Sequence, residues 1–408
     1  MIAEVKNAIF NQDIESGFRL PDDGIVTEIA DAYLQNIGMQ PKWAKSFRKQ
    51  LFNDWNTCSL PIDKKIWAIE HGFKPSSILL YGLSDENYHQ YLSDIDYMRL
   101  HPLNNHFAFW INDKITLKNI FAHPIKSVTN SSVSYNLMPD YYLYVENDGR
   151  FTYLMDSPKE LLHDDCYLLN LLKEKRILAL KPSNGGGGYG FVKLEFDGIN
   201  ILWNGDVISE SQLKENQENL NGYIVTEYLH QNKEFDCVCD KSACTLRVVV
   251  VKNTDNRFSG GSLSIVSSYA RFGTNASEGA CNMHAGAVAI AYDSETGYYG
   301  DEYFRYRGFA EGGQTRFTEH PDSKIILKGK KLPMYEKVKD VVLTACSYLS
   351  SLDYFGVDVV ITDNDVKILE INSLPAISTP QVVTGPMFTI PSAKVFFENK
   401  LAAVNQNK

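Results

Sequence analysis

Lys181-Pro-Ser-Asn-Gly-Gly-Gly-Gly-Tyr-Gly190 is the stretch on which the reading of this chain turns. Five of the six positions from 185 to 190 are glycine. Without Cβ atoms, their backbone N–H groups can approach an anion closely. The lysine before them can neutralise part of that anion's charge. On either side the pattern is that of strands. Ile177 to Lys181 is short and apolar, and Phe191-Val-Lys-Leu-Glu-Phe196 alternates. The spacing therefore predicts a hairpin with a long glycine-rich tip. It does not fit a Walker A loop, because no Gly-Lys-Ser/Thr follows. It does not fit a dinucleotide fingerprint either, because a strand and not a helix comes next. A loop this rich in glycine costs conformational entropy to order, which argues for a function over a plain surface hairpin.

A second stretch lies about 170 residues further on: Gly356-Val-Asp-Val-Val-Ile-Thr-Asp-Asn-Asp-Val-Lys-Ile-Leu-Glu-Ile-Asn372. Two strands, Val357–Thr362 and Val366–Ile371, are expected to pair through the turn Asp363-Asn364-Asp365. Asp358 and Glu370 then come close on neighbouring strands, on one face to within a possible bulge. Glu370 and Asn372 share a face by their spacing of two. Glu370 sits inside the apolar run Ile368-Leu-Glu-Ile371, where a carboxylate needs a partner or a metal. Two carboxylates and an amide oxygen are hard ligands that suit magnesium bridging substrate phosphates.

The bulk properties frame these two stretches. The 408 residues suffice for two or three compact units. The chain is 44% hydrophobic and 22% charged, as in an ordinary globular protein. Its net charge of -10 and lack of a long basic stripe exclude nucleic acid as the main partner. An acidic chain that binds a polyanion needs a locally basic pocket, so single lysines and arginines carry weight. The N-terminal Met-Ile-Ala-Glu-Val-Lys has charges early and no apolar core of a secretory signal. No apolar stretch is long enough for a transmembrane helix. The scattered cysteines Cys58, Cys166, Cys281 and Cys346 suit reduced thiols in the cytoplasm. Cys237, Cys239 and Cys244 cluster, but they lack the fourth ligand of a structural zinc site.

The first hundred residues read as mostly helical. Trp43, Phe47 and Leu51 recur every four positions, with Lys42, Lys45, Arg48 and Lys49 between them as a solvated basic face. Another helix is expected near Asn112-Asp113-Lys114, with Asn112 or Asp113 as its N-cap. Further strands are expected at Tyr223–Thr226, Thr245–Lys252, Leu263–Tyr269 and Ala285–Tyr292. Pro333 opens a helix with an apolar stripe of Val338, Val341, Ala345, Leu349 and Leu352, and a short helix near Ser392 to Ala403 closes the chain. Antiparallel strands interleaved with helices make this an α+β fold and not a doubly wound parallel sheet.

The order of lysine and glycine loop, Thr226-Glu-Tyr-Leu229, then Asp358 with Glu370-x-Asn372, resembles the ATP-grasp superfamily. The glycine loop looks like that of biotin carboxylases, and Asp358 to Pro375 looks like D-alanine–D-alanine ligases with a hairpin one residue shorter. A narrower resemblance is to the sugar-transfer-associated ATP-grasp group, often linked to surface polysaccharide synthesis. It rests on Asn112-Asp-Lys114, Thr245-Leu-Arg247-Val-Val, Arg271-Phe-Gly273, Asn282, Asp293-x-Glu-Thr-Gly297, His320-Pro-Asp322 and Gly356-Val-Asp358. That group usually has Trp-Asp where this chain has Val357-Asp358.

The resemblance implies two α+β lobes clasping ATP, here 112–225 and 226–408, behind a helical region of residues 1–111. It implies that Lys114 and Lys181 reach the phosphates and that Gly185, Gly186, Gly187 and Gly188 fold over them. Thr226, Glu227, Tyr228 and Leu229 form the hinge at the adenine, and Glu234 is placed at the ribose. Asp358, Glu370 and Asn372 hold Mg2+. The implied chemistry is activation of a small-molecule carboxylate as an acyl-phosphate and its transfer to an amine, one of them an amino acid or a sugar. A kinase and a non-catalytic nucleotide-binding protein are the alternatives. D-alanine ligases carry an arginine two positions before the metal aspartate, where this chain has Gly356. The charge that steadies a tetrahedral intermediate then falls to Arg247 or Arg271, with Lys181 beside them. Arg247 lies mid-strand and must be paired, either with phosphate or in a structural ion pair. His284 and His320 read more readily as structural residues than as catalysts.

Overall fold

The computed structural model describes residues 20, 24–162, 166–185, 190–241, 243–253, 263–278, 280–306 and 315–406. Its strands are β1 (Ile125–Lys126), β2 (Ser134–Tyr135), β3 (Tyr141–Val145), β4 (Phe151–Tyr153), β5 (Ile177–Pro182), β6 (Val192–Phe196), β7 (Ile201–Trp203) and β8 (Asp206–Ile208). They continue with β9 (Tyr223–Glu227), β10 (Thr245–Lys252), β11 (Leu263–Phe272), β12 (Val288–Tyr292), β13 (Tyr299–Phe304), β14 (Arg316–Phe317), β15 (Tyr354–Ile361) and β16 (Val366–Asn372). β1 and β2 form a ribbon. The others make two seven-stranded sheets, ordered β4-β3-β9-β5-β6-β7-β8 and β14-β13-β12-β11-β10-β15-β16. Sheets and helices together give the α+β architecture expected from the pattern.

The glycine-rich hairpin forms as read: β5 pairs antiparallel with β6, with Leu180 opposite Val192. On β5, Leu178 and Leu180 point into a core with Leu168, Leu171 and Leu194. Period-two alternation sends Ala179 and Lys181 to the other face, where β9 sets Thr226 and Ile224 opposite them. Ile224 belongs to the core of the second sheet, so this face is turned toward that sheet.

The second sheet has two differently used faces. Val357, Val359, Ile361, Ile368 and Ile371 pack with Val338, Val341 and Ala345 of the helix Tyr335–Tyr348. That helix ends before Leu349 and Leu352, yet both are buried in the same core. The opposite face is covered in part by the N-terminal helices. Val249, Val251 and Tyr354 pack with Leu92 and Tyr97, while Tyr269 and Ala289 pack with Ala68, Phe73 and Tyr81.

The N-terminal helices also keep a core of their own around Leu34, Phe47, Leu51 and Trp55. Each large apolar side chain there contributes roughly 2–3 kcal/mol on burial. The helix Pro41–Thr57 exposes Lys42, Lys45 and Lys49 as expected. Arg48 departs from that expectation. It is buried and donates from Nε to Asp31 at 2.8 Å, because it falls on the flank facing the helix Ile25–Asn36.

Four contacts fasten the N-terminal region to the segment after β16. Tyr97 donates its hydroxyl to the Pro375 carbonyl. Leu92 and Gln381 exchange two hydrogen bonds of 2.8 and 3.1 Å. Asn104, 3% exposed, donates to the carbonyls of Tyr354 and Ser373 and accepts from the N–H groups of Asp353 and Tyr354. That uses the full hydrogen-bonding capacity of a buried amide. Asn112 adds a contact to Ser373.

Candidate functional site

The site is built first from strand register. Arg247 on β10 stands opposite Asp358 on β15, and Asp358 stands opposite Glu370 on β16. Gly356 is opposite Asn372. Between Asp358 and Val359 the register shifts, so that Val359 pairs with Ile368 and Leu369 is the extra residue of a bulge. This is the bulge the sequence left open. It puts Asp358, Glu370 and Asn372 on one face, while Ile368 and Ile371 both face the helix Tyr335–Tyr348.

Arg247 holds Asp358 with two bonds, Nε to Oδ1 at 2.5 Å and Nη2 to Oδ2 at 2.9 Å. Arg271 adds a third, Nη2 to Oδ1 at 2.9 Å, and its Nε donates to Thr245 Oγ1 at 2.9 Å. Asn372 Nδ2 lies 3.4 Å from Asp358 Oδ2 and 3.3 Å from Glu370 Oε1. Burial alone would raise the pKa of Asp358. The two guanidiniums outweigh it and hold the carboxyl well below the ordinary range. For Arg247 burial works downward, and Asp358 more than reverses it. The ion-pair alternative for Arg247 is the one the structure displays. Glu370 behaves oppositely: burial raises its pKa and the neighbouring Asp358 charge adds to the rise.

Gly356 is explained by its neighbours. A Cβ there would lie 2.5 Å from Pro375 Cβ and 3.5 Å from Arg247 Nη1. No side chain fits, and the guanidinium next to this position comes from the adjacent strand instead.

The phosphate-side candidates meet this face through Lys114. Asp113, not Asn112, caps the helix Lys114–Ile120 by accepting from Thr116 N–H at 2.7 Å. Lys114 is buried. Its Nζ donates to the Gly185 carbonyl at 2.6 Å and lies 3.7 Å from Glu370 Oε2. One lysine therefore joins the glycine loop to the acidic strand. Gly185 has φ 131°, a conformation that suits glycine. Gly186, Gly187 and Gly188 lie outside the described residues.

Lys181 has no hydrogen-bond or ion-pair partner among the described residues and sits 5.6 Å above the Tyr141 ring. Burial lowers its pKa to about 8, with the Lys114 charge adding to the fall. Among the described residues, Lys114, Lys181, Arg247 and Arg271 gather around two carboxylates, Asp358 and Glu370. The region is locally cationic in a chain of net charge -10. Asn112, Gly185, Glu370, Ile371, Asn372, Ser373 and Leu374 line a cavity of about 260 Å3.

The remaining candidates lie nearby in sequence order. Thr226 is buried on β9 opposite Ala179, Glu227 ends that strand, and Leu229 is buried beyond it. Tyr228 lies under Lys193, 5.4 Å from Nζ to ring centre. Glu234 is exposed on the turn of helix Lys233–Asp236. His320 is a structural residue: it is 1% exposed, its Nε2 lies 3.1 Å from the Gly273 carbonyl, and burial lowers its pKa. His284 is exposed and stacks on Tyr306. Among the described residues no group of three His, Cys, Asp or Glu could hold a metal ion, the cluster at Cys237, Cys239 and Cys244 included. No helix among them is long and apolar enough to cross a membrane.

Sequence reasoning took in Asn112 and, within Asp358 to Pro375, Ser373, but not the contact between them. Their partnership spans 261 residues, and no local pattern marks it.

A clasp of two antiparallel sheets, with a glycine hairpin on one and a carboxylate–amide row on the other, defines a nucleotide-grasping fold. The family described as sugar-transfer associated ATP-grasp matches residues 138–394, and the chain belongs to it. Its fold is the ATP-grasp fold. Among solved structures, the ATP-grasp ligase PsnB complexed with minimal precursor matches at 13% identity and a TM-score of 0.35. The match covers 74% of this chain and 63% of that one, less than two thirds of PsnB. D-alanine–D-alanine ligase from Bacillus anthracis matches at 13% identity, over 73% of this chain and 70% of that one, with a TM-score of 0.35. The VanG D-Ala:D-Ser ligase from Enterococcus faecalis matches at 11% identity, over 72% and 62%, again with a TM-score of 0.35. No curated protein sequence matches the chain.

Proposed function

We propose that this chain is an ATP- and magnesium-dependent ligase that activates a carboxylate as an acyl-phosphate and joins it to an amine. The carboxylate or the amine belongs to an amino acid, a sugar or a uronic acid, and the reaction serves surface polysaccharide or related synthesis in the cytoplasm. The observation that carries the reading is Lys114, bound at once to the glycine loop and beside Glu370, at the edge of a cavity whose surroundings carry excess positive charge. That arrangement suits a polyphosphate lying between the two sheets.

In this reading, segments 112–225 and 226–408 are the two lobes. Lys114 and Lys181 neutralise phosphate oxygens, and the loop of Gly185 to Gly188 covers them. Thr226 to Leu229 meet the adenine edge and Glu234 the ribose. Glu370 and Asn372 would hold a magnesium ion from the cavity wall, Glu370 through its carboxylate and Asn372 through Oδ1 once its amide turns from the present Nδ2 contacts to Asp358 and Glu370. Asp358 would be the third ligand, sharing oxygens that accept from Arg247 and Arg271. The ion, when bound, supplies charge neutralisation for the phosphates.

A carboxylate oxygen attacks the γ-phosphorus, and the bond to the β–γ bridging oxygen breaks with its electron pair passing to ADP. The amine then attacks the acyl carbon, phosphate leaves, and the nitrogen gives up a proton. Arg247 and Arg271 stabilise the developing oxyanion, and positioning does the rest. No side-chain nucleophile is needed.

Hydroxylamine trapping tests the reading. With its carboxylate the chain yields a hydroxamate and ADP; a stable phosphorylated product in place of the hydroxamate would mean a kinase. Absence of magnesium-dependent AMP-PNP binding in calorimetry would remove both.

A further inference from the structure

β3 does not run as a regular strand. Against β9, Tyr141 stands opposite Thr226 and Leu143 opposite Val225, so Tyr142 is the extra residue of a bulge. Leu143 and Val145 face the core of the first sheet. Unbroken alternation would send Tyr141 there too. The bulge turns it instead into the core that holds Ile224, the face on which Lys181 stands.

There Tyr141 is fully buried and its place is fixed. Its N–H donates to Asp156 Oδ2 at 2.8 Å, and its carbonyl accepts from the Asp156 N–H at 3.1 Å. Its hydroxyl has no hydrogen-bond partner among the described residues, so no side-chain hydrogen bond accounts for where the ring lies. Two ammonium groups lie over that ring, Lys118 Nζ and Lys181 Nζ, each 5.6 Å from its centre. Lys118 has a counter-ion of its own, Asp156 at 2.8 Å, and donates to the Pro139 carbonyl at 2.9 Å. Lys181 makes no ion pair among the described residues. Two other charges act on it. Lys114, from the helix Lys114–Ile120, repels it. Glu370, from β16, attracts it but already has Lys114 at 3.7 Å.

An aromatic face attracts a cation within about 6 Å through its quadrupole, most strongly where water is excluded. It differs from a carboxylate in one respect: it holds the ammonium without cancelling its charge. Asp358 neutralises Arg247, whereas Tyr141 leaves Lys181 its full charge to offer an anion.

We propose that Tyr141 is a positioning residue of the nucleotide site, its ring seating the Lys181 ammonium and presenting it, unneutralised, to the ATP phosphates. The bulge at Tyr142 delivers the ring to that post. The inference rests on the ligase reading for the identity of the anion, and adds a residue and a backbone feature to the site.

The test measures Mg·AMP-PNP affinity of the full chain by calorimetry. Tyr141→Phe keeps the ring and should bind within about twofold of the unaltered chain, while Tyr141→Leu removes the ring and should weaken binding about 3- to 30-fold. In a Lys181→Met background, Tyr141→Leu should cost less than about twofold more, because the ring then has no ammonium to seat. Fluorinated phenylalanines at position 141 keep the shape and drain the negative face, so affinity should fall with each added fluorine. Three outcomes overturn the inference while the ligase reading stands. The first is a Tyr141→Leu loss of equal size with and without Lys181. The second is a loss in Tyr141→Phe as large as that in Tyr141→Leu. The third is a flat fluorination series, which decides the matter even where Tyr141→Leu does not fold. Failure of the unaltered chain to bind Mg·AMP-PNP overturns the ligase reading, and this inference with it.

Discussion

Arg247 and Lys181 are both half-buried cations on strands that face the same space, yet the fold treats them in opposite ways. Arg247 meets its counter-ion across one strand pair and is held charged by it. Lys181 has no such partner among the described residues, and burial pulls its pKa down to about 8. The second sheet is self-neutralised at Asp358. On the first sheet Lys181 makes no ion pair among the described residues, and the Glu370 charge offsets its burial only in part. Half of the site is thus ion-paired in the chain alone, and half leaves room for a bound anion to add a partner.

Removing the counter-ion breaks the comparison most severely. Asp358→Ala leaves two guanidiniums without their carboxylate and should cost about 3–5 kcal/mol of stability, read by chemical denaturation. A loss below about 1 kcal/mol would mean that the arginines find other partners. Glu370→Ala leaves the fold in place, because Glu370 is the strained member of the pair, but it should abolish magnesium-dependent ADP release. Full activity in that variant would remove Glu370 from the metal set.

Lys181→Met is the mirror case. It should weaken Mg·AMP-PNP binding by about 10- to 100-fold while stability stays level or rises, since a desolvated cation is gone. Equal losses in both measurements would make Lys181 a structural residue.

Lys181 also gives opposite slopes with pH. Its folded pKa of about 8 lies below the ordinary 10.5, so between these values the unfolded chain binds more protons. Its contribution to stability therefore rises with pH across that window. Nucleotide affinity falls over the same window as the charge is lost, and Lys181→Met should flatten both trends. Smallest is Arg271→Lys, which keeps a charge but loses the fork that spans Asp358 and Thr245. It should cost about 1 kcal/mol in stability and lower the rate of ADP release more than nucleotide affinity.

The sequence made the hairpin at Lys181 and the row of Asp358, Glu370 and Asn372 legible, because each depends on alternation over a few residues. The need of Arg247 for a partner was legible too, since a charge in an apolar strand cannot stand alone. Which partner it takes was not, because Asp358 lies 111 residues away and only sheet order brings the two together. Arg48 was misread for a related reason: helical periodicity gives a polar flank, but not the neighbouring helix that carries Asp31. The cover of N-terminal helices over the second sheet, and the grip of Asn104 and Asn112 on Ser373, are tertiary facts with no local signature.

The bulge at Leu369 has a consequence for chain length. It works as a phase shift within β16: on its turn side the even positions belong to the helix-packed row, and beyond it they belong to the site. A residue added or removed at the tip, Asp363 to Asp365, lengthens or shortens a solvated turn. A residue added between Glu370 and Asn372 would exchange the two rows there, sending the amide toward the helix Tyr335–Tyr348 and an isoleucine toward the cavity. Variation in the length of this hairpin is therefore permitted at its end and forbidden near its base, whatever residues it is made of.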